Sequence, residues 1–395
     1  MTRMKSSPAI PRTVWMLGFV SLCMDLSSEL VHSLLPVFLV TTLGASALAV
    51  GVIEGIAEAT ALIVKVFSGA LSDFLRRRKA LLLLGYGLAA LTKPLFPLAQ
   101  TVEAVFAARF LDRVGKGIRG APRDALVADV APAEIRGACF GLRQSMDTIG
   151  AVLGPACALG LMLAFADHIR PVLWFATLPA LAAVILIVAG VREVEPAGDG
   201  RKFRAPIRWS ALREFTGAYW RVVAVGALFT LARFSEAFLV LRAQDAGLPA
   251  GWTPLVMVVM SLVYALSAYP AGFLSDRMSR RALLGGGIAL LVAADLVLAG
   301  FATPAGVLAG AGLWGLHMGL TQGILSAMVA DAAPRELKGT AFGVFNLAGG
   351  VCALLASVLA GGLWEAFGGG VAFEAGAGLA TLSLAALLAL PGRRA

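Results

Sequence analysis

Val127-Ala-Asp-Val-Ala-Pro-Ala-Glu-Ile-Arg-Gly-Ala-Cys-Phe-Gly-Leu142 returns, little changed, as Val329-Ala-Asp-Ala-Ala-Pro-Arg-Glu-Leu-Lys-Gly-Thr-Ala-Phe-Gly-Val344. Nine of the 16 positions are identical, at an offset of 202 residues. A second pair keeps nearly that spacing: Gly69-Ala-Leu-Ser-Asp73 and Gly272-Phe-Leu-Ser-Asp276, 203 residues apart. In a chain of 395 residues, such offsets mean two copies of one unit of about half the length.

Composition puts that unit in a bilayer. The chain is 59% hydrophobic and 14% charged, with a mean hydropathy of +0.84. Soluble domains average about 45–50% apolar and about 25% charged. Twelve apolar segments reach or approach the length of a membrane-spanning helix. They are 14–40, 47–72, 80–100, 102–122, 138–164, 171–191, 219–241, 252–274, 282–302, 305–329, 340–361 and 370–391. Segments n and n+6 start 199 to 205 residues apart. The expected fold is an all-α membrane protein of twelve transmembrane helices. Residues 1–191 form one six-helix bundle and 219–395 the other, with a polar linker at 192–218.

The basic residues set an orientation. With the N-terminus inside, the inner face receives Arg3, Lys5, Arg12, Arg76, Arg77, Arg78, Lys79, Arg136, Arg277, Arg280, Arg281, Arg335, Lys338, Arg393 and Arg394, and the linker's basic residues as well. The outer loops hold little more than Arg170 and Arg242. This asymmetry follows the positive-inside rule, so both termini and the linker are expected in the cytoplasm and the chain in a bacterial inner membrane. The net charge of +9 is thus topology rather than a nucleic-acid surface. Residues 1–24 have a basic start and an apolar run, but no small-residue cleavage site follows. The segment continues into Asp25 and Glu29, so it is expected to stay as the first span. The linker's Pro196, Gly198, Gly200 and Pro206 read as loop, and a short amphipathic helix is expected from Ser210. Cys23, Cys139, Cys157 and Cys352 all fall in apolar segments and show no metal-ligand spacing.

Several motifs are similar to those of the major facilitator superfamily. Gly69-x-Leu71-Ser72-Asp73 and Gly272-x-Leu274-Ser275-Asp276-Arg277 resemble its motif between spans 2 and 3 and between spans 8 and 9. The first copy departs at Phe74 and Arg76, the second only at Ser279. Arg109 with Gly115 and Gly117 resembles the basic motif of the fourth span. Gly150-x-x-x-Gly154-Pro155 resembles the fifth-span motif of antiporters, without its closing glycine pair. Asp112-Arg-x-Gly-Lys-Gly-x-Arg119 and Pro122-Arg-Asp-Ala-Leu126 resemble a prokaryotic subgroup of the superfamily. The resemblance covers the whole chain. It implies a secondary transporter with spans 1, 4, 7 and 10 lining a cavity and 3, 6, 9 and 12 outside. It also implies a gate of Asp73, Asp129, Arg136, Asp276, Arg277 and Asp331, with Asp73 capping span 11 and Asp276 capping span 5. A helix N-terminus favours a nearby carboxylate by about 0.3–1 kcal/mol.

The two halves differ where chemistry is expected. At the 202-residue offset Arg109 meets Ala311, Asp112 meets Trp314, Arg113 meets Gly315 and Lys116 meets Met318. Arg109, Asp112, Arg113 and Lys116 recur at i, i+3, i+4 and i+7, one helical face. Asp25, Glu29 and His32 make a similar stripe in span 1, and Glu54 and Glu58 one in span 2. Span 5 has Arg143 and Asp147, span 7 has Arg233 and Glu236, and span 10 has His317. Ionisable groups inside a bilayer face interiors or wet cavities, so this set is the candidate site for substrate or proton coupling. The alternative is that Arg109, Arg113 and Lys116 pair with Asp25, Glu29, Glu54 and Glu58 only to hold the bundle together. Asp295, in an outer span, has no account at this level.

Other functions find little footing. Gly115-Lys-Gly-Ile-Arg-Gly120 spells a dinucleotide fingerprint, but no strand precedes it. No phosphate-binding loop and no catalytic constellation occurs, so no enzyme activity, cofactor or metal is expected. The expected activity is alternating-access transport by a monomer in the lipid bilayer. Its form is proton-coupled efflux, by antiport, of a small polar, anionic or zwitterionic compound or drug. An uptake symporter for a small metabolite and a non-transporting membrane sensor are the alternatives.

Overall fold

The computed structural model describes residues 9–75, 77–193, 207, 209–275, 277–321, 323–334 and 337–389. Asp276, most of the 192–218 linker, Arg335 and the terminal basic residues lie outside the described residues.

Among the described residues twelve helical rods cross the molecule. Span 1 is Arg12–Val37, continued by a π-helical turn at Phe38–Thr42. Span 2 is Ala47–Leu75, and span 3 is Arg78–Thr92 with Leu95–Leu98. Span 4 is Val102–Val130, span 5 Arg136–Ala164, and span 6 Ile169–Phe175 with Thr177–Gly190. Span 7 is Gly217–Ala232 with Ala237–Asp245, span 8 Pro254–Ser275 and span 9 Arg280–Gly300. Span 10 is Pro304–Thr321 with Ile324–Ala332, span 11 Lys338–Phe367 and span 12 Gly369–Ala389. Ten of these are apolar and long enough to cross a membrane by themselves. The other two, spans 4 and 10, are the one that carries the charge stripe and the one that breaks at Gly323.

The duplication is visible in local chemistry. Thr101 and Thr303, 202 residues apart, accept hydrogen bonds from Ala104 N (3.3 Å) and Gly306 N (3.2 Å) at the starts of spans 4 and 10. Each cap satisfies one of the backbone donors a helix leaves free at its first turn. The repeated stretch folds the same way twice. Ala131 N bonds Val127 O and Ile135 N bonds Pro132 O in the first copy. Ala333 N bonds Val329 O and Leu337 N bonds Pro334 O in the second. Spans 3, 4 and 5 each start 202 residues before spans 9, 10 and 11.

Packing repeats too. Spans 1 and 5, 2 and 4, 3 and 4, and 3 and 6 touch in the N-terminal bundle. Their counterparts 7 and 11, 8 and 10, 9 and 10, and 9 and 12 touch in the C-terminal one. Between the bundles, span 2 lies along span 11 and span 5 along span 8. We call the end bearing the 2–3 and 8–9 connections the basic end, after Arg77, Arg78, Lys79, Arg277, Arg280 and Arg281. The opposite, far end is sealed. Bare glycines let spans 2 and 11 meet backbone to backbone: a Cβ on Gly361 would lie 2.7 Å from Ala47 O, and one on Gly55 3.0 Å from Leu354 O. Asp167 Oδ1 of the 5–6 connection presses on Gly251 of the 7–8 connection. Toward the basic end the same pair of spans relaxes: a Cβ on Gly350 would stand 3.4 Å from Ala59 O. Gly51, packed on the Ser357 carbonyl, is therefore expected to tolerate no side chain. Gly51→Val should splay the far-end seam and make a cysteine at position 357 reactive to thiol reagents; unchanged reactivity would deny that the seam closes there.

Spans 3, 6, 7 and 10, each expected as one continuous segment, are each built from two helices. Span 7 is not continuous over 219–241, because the helix breaks at Arg233–Ser235. The freed donors find other partners: Ser235 N bonds Ser357 Oγ of span 11 (3.3 Å) and Ala237 N bonds Ser235 Oγ (3.2 Å). Irregular backbone at membrane depth is tolerated where it lines a cavity and side chains satisfy it. Neither glycine nor proline marks this break, so the sequence carries no sign of it.

Candidate functional site

A cavity of about 620 Å³ lies between the bundles, on the basic-end side of the sealed seam. From the N-terminal bundle come Glu29 and His32 of span 1, Glu58 of span 2, and Arg113 and Lys116 of span 4. The C-terminal bundle supplies Arg233, Phe234, Ser235 and Glu236, all at the break of span 7. Met257, Met260 and Tyr264 of span 8 complete that wall with Met318 of span 10. One wall is thus mainly ionic. The other is mainly aromatic and thioether, with two charges exposed by the helix break.

The span 4 stripe is held by acids on its neighbours. Arg109 Nη2 donates to Glu54 Oε2 at 2.7 Å, and each side chain is only 1% exposed. Arg113 Nη2 lies 3.3 Å from Glu58 Oε1, at the cavity wall. His32 stands between two acids, Nδ1 3.4 Å from Glu29 Oε2 and Nε2 3.5 Å from Glu54 Oε2. Ser235 Oγ of the span 7 break reaches the same Glu54 oxygen at 3.5 Å. Glu54 therefore joins spans 1, 2, 4 and 7, across both bundles. This answers which acid Arg109 meets, a choice that helical spacing leaves open. Lys116 and Arg233 line the cavity from opposite bundles and enter no ion pair among the described residues; nor does Glu236.

Asp112 turns away from this group. Lys93 of span 3 donates to it at 2.8 Å and to Ser28 Oγ of span 1 at 3.1 Å, with both charged side chains buried. Asp147 pairs with Arg143 one turn earlier and with Arg123 at 3.4 Å. Arg123 also donates to Ser21 Oγ at 3.0 Å. His317 is buried away from the cavity, its Nδ1 2.8 Å from Gly287 O and its ring against Phe229 and Trp314. Asp25 and Glu29 rest on span 5 glycines: a Cβ on Gly150 would stand 3.0 Å from Asp25 Cβ, and one on Gly154 2.7 Å from Glu29 Cβ. Pro155 is buried beside them inside span 5. The antiporter-like motif thus brings spans 1 and 5 into close approach beneath two acids.

At the basic end Arg78 lies 2.8 Å from Asp129 and 3.9 Å from Asp73. Arg280 pairs with Asp331. Both partners of this second pair sit 202 residues beyond those of the first, so one ion pair is built twice. Arg277 stacks over Phe273 at 4.2 Å, and Arg136 is exposed at the start of span 5. Lys93, Arg123, Arg78 and Arg280 are absent from the sequence-based site. Arg78 and Arg280 were legible through the 202-residue offset. Lys93 was legible as a lone cation in an outer span, which needs an acid. Among the described residues no group of three His, Cys, Asp or Glu side chains could hold a metal ion.

The family model for the Major Facilitator Superfamily matches residues 17–256 and 237–395. The chain belongs to the major facilitator superfamily. The uncharacterized MFS-type transporter MJ1317 of Methanocaldococcus jannaschii is 30% identical over 364 residues, covering 90% of this chain and 89% of its own length. Multidrug resistance protein 1 of Bacillus subtilis is 25% identical over 237 residues, 60% of this chain and 59% of that protein. A POT family transporter solved with 5-aminolevulinic acid superimposes with a TM-score of 0.79 at 13% identity, covering 96% of this chain and 95% of the other. The chain is accordingly a multi-pass membrane transporter acting on a small molecule, with the fold of this superfamily.

Proposed function

We propose that the chain is a proton-coupled antiporter that exports a small anionic or zwitterionic compound from the cytoplasm. The observation that carries this reading is the set of charges at the cavity. Glu29 has His32 and Glu58 has Arg113, while Lys116, Arg233 and Glu236 are left for a ligand. Two cations on opposite bundles suit one carboxylate, sulfonate or phosphate; Glu236 suits an amine on the same molecule. The aromatic and methionine wall suits an apolar body. Binding that draws the two bundles together is what alternating access requires.

The coupling reading rests on His32, Glu29, Glu54 and Glu58. In a water-poor cavity, carboxylates beside cations exchange protons as water access alternates. The antiporter-like Gly150-x-x-x-Gly154-Pro155 stretch and the likeness to a protein named for multidrug resistance favour export. The fourth-span signature of Asp112 to Arg119 supports the further reading that the chain belongs to a prokaryotic subgroup of the superfamily.

The orientation has the basic end in the cytoplasm of a bacterial inner membrane. An Arg213→Cys variant should resist impermeant thiol reagents added outside intact cells and react once the membrane is opened. Ready labelling from outside would reverse the orientation. Function is tested in proteoliposomes with an imposed pH gradient and a panel of organic anions, zwitterions and cations. Uptake of an anion or zwitterion against an outward proton gradient is expected. Lys116→Ala and Arg233→Ala should each lower it at least tenfold, mainly through KM. A cation-only profile, or flux indifferent to the gradient, would remove the proposal.

A further inference from the structure

Asp295 is an ionisable side chain for which the cavity and its ion pairs have no use. It sits in span 9, fully buried. Neither carboxyl oxygen accepts a hydrogen bond from a described residue, and no described basic group lies within 4.0 Å. Its surroundings follow from the packing. Spans 9 and 10 run antiparallel, Gly310 against Leu298 and Gly287 against Thr321, which brings Asp295 level with Trp314. Trp314 is also fully buried, and its Nε1 has no described partner. On another side span 12 offers Gly376. A Cβ there would stand 2.8 Å from Asp295 Oδ2 and 3.0 Å from Phe234 Cε1. The carboxyl oxygen and the ring edge thus share the space over a bare glycine.

Phe234 connects this place to the cavity. It is a cavity wall and lies in the Arg233–Ser235 break of span 7. Its ring sits among Phe238, Trp314 and Phe373, with centroids 5.3 to 5.7 Å away. Phe234 thus lines the cavity and, through Cε1, also reaches the space over Gly376 that the Asp295 carboxyl oxygen shares. The remaining titratable groups on the packed elements are engaged or point elsewhere. His317 of span 10 is held by Gly287 O, and Glu374 of span 12 is exposed. On span 7, Arg233 and Glu236 line the cavity and Arg242 bonds the carbonyls of Leu298 and Ala299. Among the described residues a carboxylate ion at position 295 would find neither counter-charge nor donor, and burying such an ion costs far more than burying the acid.

We propose that Asp295 is a concealed proton-binding site whose access to the cavity is opened and closed by the Phe234 ring on the broken segment of span 7. When the segment moves, cavity water reaches the carboxyl group and takes its proton as hydronium. When the ring returns, the carboxylate has taken a proton back from hydronium and is again sealed as the acid. Only the use of that proton rests on the transport reading above; the site itself requires no substrate.

The test reads the carboxyl group directly, on the full chain in a lipid bilayer. Infrared spectra of the wild type minus Asp295→Asn should show one carboxylic acid C=O band that shifts on transfer to D₂O. Phe234→Ala should speed that shift at least tenfold, with Phe234→Leu between. Separately, a water-soluble carbodiimide should label wild-type Asp295 slowly and the Phe234→Ala protein several-fold faster, as located by mass spectrometry. This second arm stands even if Asp295→Asn fails to fold. An acid band that never exchanges, or exchange and labelling that ignore Phe234, would overturn the proposal and mark Asp295 as a static packing residue. Neither arm measures flux, so such a result would leave the transport reading standing, and failed transport would leave this site standing.

Discussion

Arg109→Ala is expected to abolish transport. The side chain is buried and donates to Glu54 at 2.7 Å, and the variant leaves the buried Glu54 carboxylate without its guanidinium partner. Breaking a buried pair on one side costs about 3–5 kcal/mol, so Arg109→Ala should also be less stable to heat. The double variant Arg109→Ala with Glu54→Gln separates the two effects. Glu54 is more than a counter-ion, because His32 and Ser235 reach the same oxygen from spans 1 and 7. The double variant should therefore regain thermal stability while transport stays absent. Recovery of both, with normal pH dependence, would make the pair a structural strut and remove it from the site.

The Lys93–Asp112 pair is expected to behave in the opposite way. It is equally buried, at 2.8 Å, but is not part of the lining of the cavity between the bundles, and among the described residues it joins spans 3 and 4 with Ser28 of span 1. Lys93→Ala should destabilise the N-terminal bundle by about 3–5 kcal/mol and lower the yield of folded protein. Lys93→Met with Asp112→Leu should restore stability, since replacing a buried pair by apolar side chains of like size is often neutral or better. Transport should return with it. Thermal unfolding in detergent and flux in proteoliposomes check both points, and a stable but inactive double variant would bring Asp112 back into the site.

These contrasts show what the sequence could convey. The repeat at Val127 and Val329 carried the fold, because each copy makes the same turn, cap and ion pair with residues 202 apart. The stripe at Arg109, Asp112, Arg113 and Lys116 was legible as one helical face. Its division was not. Four positions at i, i+3, i+4 and i+7 share a face, but which neighbour supplies each partner depends on rotation and tilt between helices. So Asp112 turned to Lys93 while Arg109 and Arg113 turned to span 2. The break in span 7 was hidden for another reason. Its donors are satisfied by serine side chains, one from 122 residues away, and no local propensity encodes that. Asp295 was visible as an anomaly, and only packing showed that Phe234 stands between it and the cavity.

Proton-coupled export requires a rocking of the two bundles about a fixed site. It is tested most directly by paired spin-label distances in lipid nanodiscs as a function of pH. One pair, at Ala138 and Met278, spans the basic end; the other, at Ala166 and Ala250, spans the far end. Two populations are expected at each pair, with weights that change with pH in opposite directions: the basic-end distance shortens as the far-end distance lengthens. Arg109→Ala with Glu54→Gln should hold one population at every pH. Distances that stay single and unmoved across pH, or that lengthen at both ends together, would contradict it.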